Sequence, residues 1–178
     1  EKKTIAGWVM DIYLKKFYNF DKTPISVLTK PEYTFIRSSF HGGRTETFRL
    51  YRKWSNDELA IGKCGRYKDV QSLYPTTQFY DPLPIGVPTT KEDYIQLSIE
   101  ENHNIINNNY GWFEVDITMN KNLYIPPLVS KGEFKLTADL QDKSKQVFHS
   151  VELQKAIMDG CKITRIYKSI IMESSTEL

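Results

Sequence analysis

The run Asp69-Val70-Gln71-Ser72-Leu73-Tyr74-Pro75 places a carboxylate and then a phenol across what reads as the passage from a strand into a helix. A carboxylate at a strand end is the kind of oxygen ligand that Mg2+ accepts, and this ion commonly keeps phosphate oxygens in its shell. The first turn of the following helix has backbone N–H groups without intrahelical partners, and the helix dipole adds to their pull on a phosphate. From residue type alone each side chain has two readings. Asp69 is a metal ligand or a surface aspartate closing a strand, and Tyr74 is a site ring or a core aromatic.

Upstream stands Phe40-His41-Gly42-Gly43-Arg44. Two adjacent glycines let a backbone approach a phosphate closely, and Arg44 adds charge-assisted hydrogen bonds to such a group. The competing reading is a glycine pair that ends a helix. Basic residues bunch from Arg44 to Lys68 and lead into the Asp69 run, although a solvated hairpin face has the same composition.

The Asp69 to Pro75 run resembles the first polymerase motif of family B DNA polymerases: aspartate, two variable residues, then Ser-Leu-Tyr-Pro. Phe40 to Arg44 is similar to the aromatic-x-Gly-Gly motif that joins the exonuclease and polymerase regions of the protein-primed members, with Phe40 where tyrosine is usual. That change keeps stacking and removes a hydroxyl contact. Pro82-Leu83-Pro84-Ile85-Gly86 resembles a Pro-Leu-Pro-x-Gly-like loop of the same family. Tyr124 to Leu128, Glu152-Leu153 and Lys162 to Tyr167 are similar to the insertion that holds a terminal protein and DNA.

The resemblance implies roles for individual residues. Asp69 and the Val70 carbonyl are metal ligands for Mg2+, and Val70, Ser72, Leu73 and Tyr74 bind the nucleotide. Tyr74 lies under the sugar, where it excludes a 2′-hydroxyl, and Phe40, Gly42, Gly43 and Arg44 contact template DNA. The implied partners are template and primer DNA, a deoxynucleoside triphosphate and a terminal (priming) protein. An intracellular, reducing setting is the default with two isolated cysteines, and the resemblance adds a viral replication site or a mitochondrion. Family B catalysis pairs two metal-binding aspartates, because two ions serve the attacking and leaving oxygens of an in-line displacement. The 178 residues contain no Tyr-x-Asp-Thr-Asp-Ser-like run, no Lys-x-x-x-Asn-Ser-x-Tyr-Gly run and no exonuclease Asp-x-Glu. The expectation is therefore a polymerase piece, inactive as this chain alone. The alternatives are a non-catalytic remnant or accessory module that binds DNA or a protein, and a polymerase assembled from two chains. The opening residue Glu1 reads as the start of an excised piece or of a processed product.

Other combinations of residues carry less. His41, His103 and His149 lack metal-ligand spacing. Asp139 with Asp142, and Glu100 with Glu101, read as solvated carboxylates, and Trp8, Trp54 and Trp112 as core aromatics. Cys64 and Cys161 are too isolated for a zinc or disulfide framework and read as buried or half-buried thiols.

The elements that must position these residues follow from periodicity and caps. Thr4 caps a helix reaching about Asn19, whose stripe of Ile5, Trp8, Val9, Ile12 and Phe17 is core-facing. Residues 25–28 are extended and Pro31 to Ser39 is helical. Thr45 to Lys53 and Ile61 to Val70 form a β-hairpin, so Asp69 closes a strand, and Ser72 to Phe79 is a helix with Pro75 in its first turn. Asp81 to Pro88 is a loop because of its prolines, and Glu92 to Ile106 is a helix. Strands are predicted at Trp112 to Met119, Glu133 to Leu136 and Lys162 to Met172, with a Ser150-capped helix that Gly160 ends.

The fold expected is α+β: a partial palm with a small mixed sheet and helices, plus an inserted α+β subdomain. Three segments are drawn: 1–40 at the exonuclease/polymerase junction, 41–90 as partial palm, and 91–178 as the insertion resembling the terminal-protein region. A 40% hydrophobic and 13% aromatic composition supports a real core. The balance of 24 basic and 22 acidic residues says nothing about nucleic acid by itself. No run approaches the roughly 20 apolar residues of a membrane span, so no membrane partner is expected.

Overall fold

The computed structural model describes residues 4–19, 26–43, 45, 47, 49–131 and 136–176. The chain folds into two compact units, one formed by Glu1–His41 with Pro82–Leu178, the other by Gly42–Asp81. The segment boundaries drawn at 40/41 and 90/91 follow motifs in chain order. The first unit contains the chain on both sides of the second, because the strand after Pro82 pairs within its sheet.

In the larger unit, helix α1 (Ile5–Lys16) forms where Thr4 was expected to cap it, with the Thr4 hydroxyl accepting from the Gly7 N–H. None of its residues is buried, so the stripe of Ile5, Trp8, Val9 and Phe17 is solvent-facing, contrary to the core packing inferred from its spacing. Helix α2 (Lys30–Ser39) begins with a capping box between Thr29 and Glu32 and carries Pro31 in its first turn. Residue 25 of the expected extended piece lies outside the described residues.

Four strands, β1 (Leu83–Lys91), β2 (Gly111–Thr118), β5 (Lys143–His149) and β6 (Lys162–Ser175), form a sheet in the order β1-β6-β2-β5, antiparallel at every pairing. The α+β architecture expected from sequence is present. A separate two-stranded ladder pairs β3 (Ser130–Lys131) with β4 (Leu136–Thr137); residues 133–135 of the strand expected there lie outside the described residues.

One sheet face packs on helices α5 (Ile99–Asn107) and α6 (Ser150–Met158), enclosing Phe113, Val115, Ile117, Leu153 and Ile163 among others. A second cluster, around Ile36 of α2, Trp112 and Ile170, includes the partly buried Val147 and Met172.

Two expectations fail here for identifiable reasons. The proline-rich stretch expected as a loop is strand β1, which tolerates Pro84 and Pro88 because it is an edge strand; its register shifts between Ile85 and Thr89, where Gly86 takes φ +75°. The helix expected from Glu92 starts only at Ile99, behind a Ser98–Glu101 capping box, because Asp93 adopts φ +57° and Tyr94 is buried with its hydroxyl 2.7 Å from Ser169 Oγ.

The smaller unit holds α3 (Asn56–Ala60), capped by Ser55 and Glu58, and α4 (Leu73–Tyr80). No strand occurs among its described residues, so the predicted hairpin is absent and Asp69 follows irregular chain. None of those residues is buried: Leu50, Tyr51, Ile61 and Tyr67 are all exposed. An alternating pattern makes a hairpin only where one face is covered, and an isolated pair of strands is marginal in water.

Candidate functional site

In the smaller unit, Asp69 and Val70 precede a turn at Gln71-Ser72 that delivers the chain into α4. Ser72 is the N-cap residue in the left-handed region (φ 53°, ψ 38°) and makes no side-chain cap. The first α4 bond closes from the Thr76 N–H to the Ser72 carbonyl at 2.9 Å, which leaves the Leu73 and Tyr74 N–H groups without a helical partner, while Pro75 has none to offer. Asp69 is exposed, and Tyr74 is 77% exposed, so its ring is not a core aromatic. Val70, Ser72 and Leu73 are exposed too.

Upstream in the same unit, Arg52 pairs with Glu58 and its guanidinium lies 4.6 Å from the Trp54 ring centroid, while Lys63 Nζ is 3.6 Å from Glu58. Part of the basic cluster is thus committed to one carboxylate. Gly42 and Gly43 are open enough that a Cβ at either meets no atom within 4 Å, so nothing here requires glycine for packing. Arg44 lies outside the described residues. Cys64 is exposed, unlike the thiol inferred from sequence, and Cys161 is buried.

In the larger unit, Phe40 is the C-cap residue of α2, with the Arg37 guanidinium 5.6 Å from its ring centroid. It lines a cavity of about 340 Å³ with Leu28, Ile36, Trp112 and Met172, and its ring is 51% exposed.

The outer sheet surface carries a polar cluster that sequence reasoning missed. Asp116 accepts from the Tyr167 hydroxyl at 2.7 Å, the Ser144 hydroxyl at 2.9 Å and the Lys145 N–H at 2.8 Å. Partial burial pushes its pKa up, but these hydrogen bonds, with the Arg165 charge, outweigh burial and leave it lowered. Lys145 Nζ and the Arg165 guanidinium lie 5.0 Å and 4.7 Å from the Tyr167 ring centroid. The alternation of Lys162 to Tyr167 predicts a strand, while the partnership with Asp116 depends on pairing between distant segments.

The histidines are structural. His103 Nε2 accepts the Ile163 N–H at 3.1 Å, and His149, not the expected Ser150, is the N-cap of α6. Burial pushes the His149 pKa down to about 4. The acidic pairs prove equally ordinary: Asp139 binds the buried Lys143, Asp142 binds Lys121, and Glu101 serves the α5 cap.

Among the described residues no group of three His, Cys, Asp or Glu could hold a metal ion, and no helix is long and apolar enough to cross a membrane. For Mg2+, which takes about six oxygen ligands, Asp69 and the Val70 carbonyl offer part of a shell and do not complete one.

A family profile described as DNA polymerase type B, organellar and viral, matches residues 1–177. A probable DNA polymerase of Podospora anserina is 37% identical over 75 residues, which is 42% of this chain and 5% of that protein. The solved structure of phi29 DNA polymerase, in an orthorhombic crystal form, superposes with a TM-score of 0.52 at 15% identity, covering 96% of this chain and 29% of that one. At that identity the likeness is one of fold. The chain spans less than a third of either relative.

Proposed function

The chain belongs to the organellar and viral type B DNA polymerases, and from this premise we propose that it is the part of a protein-primed polymerase that brings the first metal-binding aspartate and the nucleotide platform. In this reading Asp69 and the Val70 carbonyl supply part of the shell of Mg2+. The ion, when bound, contributes charge stabilisation at the transferring phosphoryl group. The free N–H groups of Leu73 and Tyr74 receive triphosphate oxygens, aided by the α4 dipole. The exposed Tyr74 ring supports the sugar and disfavours a 2′-hydroxyl. Phe40, Gly42, Gly43 and Arg44 follow the template strand, and residues 91–178 hold DNA and a priming protein, for which the Tyr167 cluster with Lys145 and Arg165 is a suitable surface. A mitochondrial or viral replication site suits such a protein.

The observation that carries this reading is the Asp69–Pro75 run, exposed and turned through a left-handed Ser72 into an uncapped helix start. Its test joins or coexpresses the chain with a polypeptide bearing the Asp-Thr-Asp-like run and follows deoxynucleotide incorporation. Activity that Asp69→Asn abolishes, and that Tyr74→Val opens to ribonucleotides, is the expected result; incorporation indifferent to Asp69→Asn ends the proposal.

The lack of any second-aspartate run in these 178 residues favours a second reading for the chain by itself, a non-catalytic module that binds DNA or a protein partner. No incorporation with any complementing polypeptide, together with retained binding of single-stranded DNA, selects it.

A further inference from the structure

Helix α2 and its C-cap carry Tyr33, Ile36, Arg37 and Phe40 at three- and four-residue steps, so these side chains share one helix face. With Trp112 of β2 and Met172 of β6 they line the cavity of about 340 Å³ described above, and all of them belong to the larger unit. That volume lies within the ~300–1,000 Å³ usual for small-molecule pockets. Ile36 and Trp112 are buried and anchor the cavity in the second hydrophobic cluster, whereas Tyr33 is 56% exposed and Phe40 is half-exposed.

Two polar groups of this cavity are left unmet by the fold. The Arg37 guanidinium lies over the Phe40 ring, and among the described residues no acid pairs with it. The Trp112 Nε1 donor is buried without a hydrogen-bond partner, which is rare in a folded protein. The combination selects an occupant. Aromatic walls take a flat ring, a free guanidinium takes a phosphate, and an orphaned donor takes a carbonyl oxygen. An aliphatic side chain from a protein would fill the volume and answer neither the cation nor the donor.

We propose that this cavity holds one unstacked nucleobase of single-stranded DNA, the base against Phe40 and Tyr33, its phosphate at Arg37 and a carbonyl edge turned to Trp112 Nε1. That atom is covered in the free chain, so the wall shifts on entry, which a flexible side chain such as Met172 permits. The inference rests on the reading of Phe40 as a template contact and adds to it the pocket, Arg37 and Trp112.

Fluorescence anisotropy on the full chain compares an oligothymidylate with an abasic strand of equal length, which has the phosphates and lacks the bases. The abasic strand binds at least about fivefold more weakly, as expected for loss of one stacked base. Phe40→Ala lowers oligothymidylate affinity by a similar factor and leaves the abasic strand unaffected, and Phe40→Tyr restores the parent value. Trp112→Phe keeps a ring and removes the donor, so it too weakens only the strand that has bases. Arg37→Gln weakens both strands and reduces the salt slope by about one. Irradiated 5-iododeoxyuridine strands attach to peptides containing Tyr33, Phe40 or Trp112. Should Trp112→Phe unfold in circular dichroism, Phe40→Ala and Arg37→Gln decide, because both side chains are exposed. Equal affinity for the two strands, or attachment only elsewhere, overturns the pocket and leaves the template reading of Phe40 standing. Competition by thymidine 5′-monophosphate as strong as that of the oligothymidylate overturns the assignment to a strand. Failure of the parent chain to bind either strand overturns the template reading of Phe40, and the pocket with it.

Discussion

Asn102 donates its side-chain amide to the Ile163 carbonyl at 3.1 Å, while the neighbouring His103 accepts the N–H of the same residue. Two successive residues of α5 therefore satisfy both backbone groups of one strand position. The need arises from the topology: β1 pairs with β6 only over Ser169–Ser175, so among the described residues the first half of β6 has no strand on that side. Buried backbone groups must find partners, and helix side chains supply them where the sheet does not.

Replacing Asn102 by Leu keeps bulk and strands the Ile163 carbonyl. A loss of about 1–3 kcal/mol follows from the desolvation penalty of an unsatisfied buried group. Chemical denaturation followed by circular dichroism measures it; a variant as stable as the parent would show that water reaches this carbonyl.

Gly111 is required by close approach. A Cβ there would stand 2.2 Å from the Ile170 carbonyl oxygen and 2.9 Å from the Ile171 α-carbon, both backbone atoms of the paired strand. Gly111→Ala must therefore push β2 from β6, at a cost above the ~1–3 kcal/mol typical of overpacking a core. A thermal melt unchanged within error would sink this claim.

Acid weakens the fold through His149. Its pKa is 6.5 in an ordinary setting and is pushed down to about 4 by burial, so between those values the unfolded chain binds a proton that the folded one refuses. Stability from this group is full above 6.5 and is lost as the pH falls toward 4, amounting to about 3 kcal/mol at most. His103, lowered by the same cause, acts in the same direction. Denaturant midpoints from pH 7 to 4 show the decline, and His149→Phe removes part of it; parallel curves for the two proteins would refute the assignment.

Binding to single-stranded DNA is expected to be weak and to decline linearly in log affinity with log salt, since phosphate contacts release counterions. Arg44→Ala lowers the affinity and reduces the slope by about one. Fluorescence anisotropy across a salt series measures both, and an unaltered slope removes Arg44 from the interface.

Local signals in the chain were sufficient for many elements. Thr4, Pro31 and Gly160 mark real helix boundaries, and the period-two runs at Trp112 and Lys162 are the central strands, because caps and alternation act within a few residues. The family was legible from the Asp69–Pro75 run, whose letters are contiguous. Its setting was misread: the strand assigned before Asp69 needs a buried face, and no described residue of that unit supplies one.

What sequence alone determined, then, is the set of helix starts, the two apolar strands and the polymerase signature, all written in neighbouring residues. Only the tertiary structure decided that a proline-rich stretch is an edge strand, that the α1 stripe faces solvent, and that Asp116 meets Tyr167. It also decided that His41 reaches Glu152 and Tyr110 reaches Pro82. These depend on which segments lie side by side after folding, and pairings across tens of residues leave no periodicity in the chain that carries them.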